Sequence, residues 1–184
     1  MAFLENRASR RAWRVLLALC TLAGAFEYCL ACPIPRRLVL SPNLCGALST
    51  AQQKWLTPEW NPYLEYTRVC PVRDSKSRGT AVFLVSVHAD VYYKAQTGTS
   101  VPLVKLPSPL LFLPSGEIVG SLPYNFPDDP PAELRVTFAD WQAGFPQRID
   151  LYLTDPRASG NRPLPSMLWD KSQKKYLAKE NAPQ

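Results

Sequence analysis

The chain has 184 residues, 46% of them hydrophobic, enough for one core and too few for two comfortable ones. Its nineteen prolines argue against a helical protein, since proline inside a helix costs roughly 3 kcal/mol, and fit a β domain that keeps them in connections and on edges. The formal charge of +6 includes Arg7, Arg10, Arg11, Arg14 and Glu5 near the front; beyond residue 25, 17 basic and 14 acidic residues remain, and a net +3 is too mild to point to nucleic acid.

The four arginines precede an apolar run over residues 15–26, the layout of a secretory signal. Three readings stand side by side. Ala23 and Ala25 offer a signal peptidase its small residues, with cleavage before Phe26. Residues 13–33 can nearly span a hydrocarbon core of about 30 Å as an uncleaved anchor, with Glu27 at the interface. Leu30-Ala31-Cys32 is similar to the end of a lipobox, which would make Cys32 the lipidated residue. With Cys32-Pro33-Ile34-Pro35, Ser41-Pro42 and Cys45-Gly46, this stretch resembles the opening of small bacterial envelope lipoproteins. That resemblance implies export and attachment to a membrane through the N-terminus. Residues 1–32 are therefore read as a signal peptide or membrane anchor, and the rest as facing the periplasm or the exterior.

Outside the cytoplasm, cysteines at such spacings pair. Cys20 lies inside the apolar segment. Cys29, Cys32, Cys45 and Cys70 leave three connectivities open, and lipidation of Cys32 would make Cys45–Cys70 the natural pair. Cys29-Leu30-Ala31-Cys32 has the redox C-x-x-C spacing, yet it follows no strand and opens no helix.

Residues 36–179 read as one β domain. Trp55, Trp60, Tyr63 and Tyr66 form an aromatic cluster, the strongest binding feature, because such side chains present a flat apolar face and a polar edge to sugar rings or to a partner protein. Their ordinary role is to fill a core. Strands are expected over residues 63–70 and 80–94; in the second, Phe83, Val85, Val87, Val91 and Tyr93 alternate with positions that turn polar from Ser86 onward. Residues 110–113 and 117–120 flank Pro114-Ser115-Gly116, a turn with glycine available for positive φ. Residues 121–131, with four prolines, read as a long connection. Residues 133–138 place Leu134, Val136 and Phe138 on one face; residues 148–154 place Ile149, Leu151 and Leu153 inward and Arg148, Asp150 and Tyr152 outward. A final hairpin is expected from residues 167–170 and 175–179, its lysines guarding an edge strand, and residues 180–184 form a disordered tail. These seven or eight strands point to an all-β fold, a two-sheet antiparallel sandwich of immunoglobulin-like type, with an open β-barrel as the rival.

No catalytic constellation emerges. Ser86, His88 and Asp90 share a strand face, but residues two apart on a strand lie about 6.5–7 Å apart and point in parallel, so they do not converge as a triad. There is no Gly-x-Ser-x-Gly elbow and no phosphate-cradling glycine loop. His88 is the single histidine, which excludes a zinc site of several imidazoles. Asp128-Asp129 lacks the further oxygen ligands a calcium site needs. The sequence thus implies no cofactor and no metal. It favours a non-enzymatic protein that binds a protein or glycan of the cell envelope. A polysaccharide hydrolase or lyase working through two carboxylates is the alternative. An immunity-type inhibitor of a secreted toxin, presenting residues 121–131 as a protruding loop, is the second alternative.

Overall fold

The computed structural model describes residues 37–75, 79–95, 105–127, 132–157 and 161–179. The expected signal or anchor at 1–32 with Cys32, the Asp128-Asp129 pair and the tail at 180–184 lie outside the described residues.

The described residues form ten strands: β1 Leu38–Val39, β2 Gly46–Ala47, β3 Thr67–Val72, β4 Val82–Val87, β5 Leu110–Phe112, β6 Ile118–Ser121, β7 Glu133–Gln142, β8 Phe145–Thr154, β9 Asn161–Asp170 and β10 Lys175–Ala178. They make two five-stranded antiparallel sheets, ordered β1-β7-β8-β9-β10 and β2-β3-β4-β5-β6. Apart from the β1–β7 pair, neighbours in each sheet are consecutive in the chain. An immunoglobulin arrangement would instead set non-consecutive strands side by side, so the expected immunoglobulin-like strand order is not the one observed.

The alternation expected for β7 and β8 holds where it faces the other sheet. Leu134, Val136, Phe138, Ile149 and Leu151 are buried and share a core with Cys70, Val72, Val82, Leu84, Leu111 and Val119 of the second sheet. Burial of so many branched and aromatic side chains, each worth about 1.5–3 kcal/mol, is what holds the two sheets to one another. The β7–β8 hairpin closes through Ala143 and Gly144, both at positive φ (48° and 78°), the conformation that matches strand twist in a two-residue turn. Tyr176 on β10 seals the core from the first sheet's edge, its hydroxyl donating to Pro146 O at 2.7 Å. Cys45 precedes β2, where Gly46 pairs with Val69, and so sits opposite Cys70; the two form a disulfide.

Two expectations about the second sheet are corrected. Residues 89–95 continue no strand: helix α2, Ala89–Ala95, begins there, with Asp90 in its first turn and Lys94 in its last, each matched to the end of the helix dipole it occupies. Residues 63–66 likewise belong to a 3-10 helix, Pro58–Tyr66, and pairing starts only at Thr67. A short helix α1, Thr50–Gln53, precedes it, its start fixed by a reciprocal capping box between Ser49 and Gln52.

Helix α2, the 3-10 helix and the loop at 105–109 cover the outer face of the second sheet. There Val85, Val87 and Phe112 join Trp60, Ala89 and Leu106 in a second apolar cluster. Strand β4 is thereby buried on both faces, Val82, Leu84 and Ser86 on one and Val85 and Val87 on the other. Its alternation separates two cores rather than core from solvent. Ser86 and His88, where the alternation turns polar, are therefore not on a solvent face: both are buried.

Candidate functional site

A 3-10 helix has three residues per turn, so residues three apart lie one above another. Trp60, Tyr63 and Tyr66 follow that spacing and share a face of the Pro58–Tyr66 segment. Pro58 opens the segment with its φ already set, and the Trp60 N–H closes the first turn on Thr57 O at 3.0 Å. This places the aromatic row against the outer face of the second sheet.

The four aromatic residues singled out by the sequence meet the same cluster but differ in access. Trp55 is half-buried, stacked on Phe112 with ring centroids 5.3 Å apart and tilted against Phe83 at 5.6 Å. Tyr63 and Tyr66 each meet Tyr92 of α2 edge to face, at 5.6 and 5.3 Å. Trp60 is 1% exposed.

Beside this row lies a cleft of about 510 Å³, walled by Glu59, Trp60 and Tyr63 on one side and Lys105, Leu106, Pro107 and Ser108 on the other, with Leu110 and Ser121 also lining it. Trp60 Nε1 is buried and has no hydrogen-bond partner among the described residues. An unmade hydrogen bond of this kind costs about 1–3 kcal/mol. Glu59, Lys105, Ser108 and Ser121 add a carboxylate, an ammonium and two hydroxyls, so the lining combines aromatic surface with both donors and acceptors. Sequence reasoning found Trp60 and Tyr63 and missed Glu59, Lys105 and Ser108. The loop carrying the last two is brought opposite the 3-10 helix by the strand order, which no local pattern encodes.

The Ser86-His88-Asp90 row has a different environment. Ser86 Oγ donates to Val87 O and accepts from Phe126 N, both at 3.1 Å, so neither bond engages His88. Asp90 lies on α2 in an ion pair with Lys94 at 3.8 Å. His88 is 6% exposed, its ring edge-on to Phe126. Burial drives its pKa down to about 4; Arg68 adds to the fall and Asp90 opposes it. His88 Nε2, Asp90 Oδ1 and Asn125 Oδ1 are each buried without a hydrogen-bond partner among the described residues.

Among the described residues the cleft brings no two carboxylates together. Glu59 is the one carboxylate among the described residues lining the cleft. Asp140 and Asp150 both bind Arg148, at 2.8 and 3.0 Å, and Ser166 Oγ donates to Asp150 at 2.8 Å. These partners bury Asp150, which the alternation had placed outward in solvent. The described part of the 121–131 connection is not a protruding loop either, because Leu122 and Phe126 are buried in the core between the sheets.

No family model, curated protein or solved structure matches this chain. Among the described residues no helix is long and apolar enough to cross a membrane.

Proposed function

We propose that this chain is an exported, non-catalytic binding protein of the cell envelope that holds a glycan in the cleft beside Trp60. The observation that carries the reading is the cleft of about 510 Å³ lined together by Trp60, Tyr63, Glu59, Lys105 and two serines. Sugar rings carry an apolar face and a rim of hydroxyl or amide oxygens, and that combination suits aromatic surface with charged and hydroxyl groups beside it. Among the described residues the lining holds one carboxylate, Glu59, whereas hydrolysis or elimination of a glycosidic bond takes two placed groups.

The address comes from the N-terminal sequence: a basic stretch followed by an apolar run, with Cys32 as the lipidation candidate. The Cys45–Cys70 disulfide is consistent with an oxidising compartment. In this reading the chain faces the periplasm or the exterior, held near a membrane by its N-terminus or released from it, and the two sheets form the frame that carries the cleft. The test is calorimetric titration of the full chain with soluble peptidoglycan fragments and envelope oligosaccharides. Saturable binding that weakens in Lys105→Ala and Glu59→Gln, with unchanged melting curves, supports the reading. Absence of binding to either class, or binding indifferent to both substitutions, overturns it.

A further inference from the structure

One ring nitrogen of His88 and the Sγ atoms of Cys45 and Cys70 all lie within 4.8 Å of one another. His88 is 94% buried as a residue, and its Nε2 has no hydrogen-bond partner among the described residues. An imidazole in an apolar setting, against two sulfurs and the edge of Phe126, has a lone pair for which the described surroundings offer no donor.

We infer that Cys45, Cys70 and His88 form a redox-gated metal site, closed as a disulfide when oxidised and able to hold a thiophilic divalent cation such as zinc when reduced. The donor set suits that class: two thiolates and one imidazole are three zinc ligands, with a fourth position left for water or an external group. Zinc–sulfur bonds of about 2.3 Å at tetrahedral angles require the sulfurs roughly 3.8 Å apart, so they must separate on reduction. Cys70 is held within the core on β3. Cys45 is half-buried and leads into the two-residue edge strand β2, whose Gly46 and Ala47 are both exposed. Cys45 is thus the ligand placed to move.

The opening step is thiol–disulfide exchange with a dithiol reductant. Its first thiolate attacks Cys45 Sγ, the more accessible sulfur, and Cys70 leaves as a thiolate. The reductant's second thiolate then resolves the mixed disulfide, Cys45 leaves as a thiolate, and the reductant departs oxidised to its own disulfide. The cation binds both thiolates, and any proton they had taken up is released to solvent.

The probe is cobalt(II), titrated into the full chain carrying Cys20→Ala, Cys29→Ser and Cys32→Ser, so that only Cys45 and Cys70 supply sulfur. After reduction the inference expects one equivalent of cobalt with a thiolate-to-metal charge-transfer band, and no such band before reduction. His88→Ala should weaken the apparent affinity about tenfold or more, since even losing a ligand's supporting partner costs that much. Zinc should also raise the melting temperature of the reduced chain and leave the oxidised chain unchanged. Either of two results overturns the inference: no charge-transfer band in the reduced chain, or a band of equal affinity in His88→Ala, as two sulfurs on an unfolded chain would give.

Discussion

A β-carbon built on Gly116 would fall 2.5 Å from Nε1 and 2.6 Å from Cδ1 of Trp55. The turn between β5 and β6 therefore carries the Trp55 indole directly on its glycine, which adopts φ +89°. Gly116→Ala meets two penalties at once, a left-handed backbone that disfavours a side chain and an indole that must move off Phe112. The expected loss is about 2 kcal/mol or more in urea unfolding. A loss under about 0.5 kcal/mol, the scale of an ordinary surface change, would mean the hairpin does not hold Trp55 in this way.

Trp60 and Trp55 should respond differently to substitution. Trp60→Ala removes a fully buried ring and should cost about 3–5 kcal/mol; Trp55, half-buried, should cost less. Trp60→Phe is the informative variant. It keeps most of the apolar contact and deletes the unpartnered N–H, so its cost should stay well below that of Trp60→Ala. Denaturant melts of the three proteins decide the order. A Trp60→Phe loss equal to that of Trp60→Ala would show that the indole N–H is satisfied in the folded protein.

His88 sets an acid limit on the oxidised protein. Its folded-state pKa is lowered to about 4 from an ordinary value near 6.5, chiefly by burial, with Arg68 assisting and Asp90 opposing. Between these values the unfolded chain binds more protons than the folded one, so stability rises with pH there. The His88 contribution is fully present above about pH 6.5, declines as pH falls toward about 4, and loses nothing further below. At about 1.4 kcal/mol per pKa unit, its size should be roughly 3 kcal/mol at most. The measurement is unfolding free energy against pH for wild type and His88→Gln. The difference between the two curves should slope between pH 4 and 6.5, and a flat difference would contradict the burial argument.

The existence of β5 to β10 was legible in the sequence because each holds a single-faced alternation or flanks a turn sequence, but their extents were not: β7 runs on to Gln142, β8 begins at Phe145 and β9 at Asn161. Leu134, Val136 and Phe138 alternate with polar neighbours, and Gly116 marks its turn. Strand β4 misled for a physical reason. Ser86 and His88 are polar yet buried, one bonded to the backbone of Val87 and Phe126, the other walled by Phe126 and the disulfide, so polarity did not report exposure. Helix α2 was hidden because Val91 and Tyr93 extend the period of two by coincidence. At the candidate site, the aromatic half was readable from Trp60 and Tyr63. The half from Lys105 to Ser108 was not, since it reaches Trp60 only through the order of strands in the second sheet.

The most direct test of the glycan-binding account is the Trp60 indole N–H resonance in proton–nitrogen correlation spectra of the full chain. It is assigned with Trp60→Phe and followed while peptidoglycan fragments and envelope oligosaccharides are titrated in. The account predicts that one of these ligands shifts the resonance in a saturable way, as the cleft beside the Trp60 ring fills, and that Lys105→Ala moves the midpoint to higher ligand concentration. A resonance that stays fixed at ligand concentrations saturating any binding seen by calorimetry would place the ligand elsewhere and contradict the account.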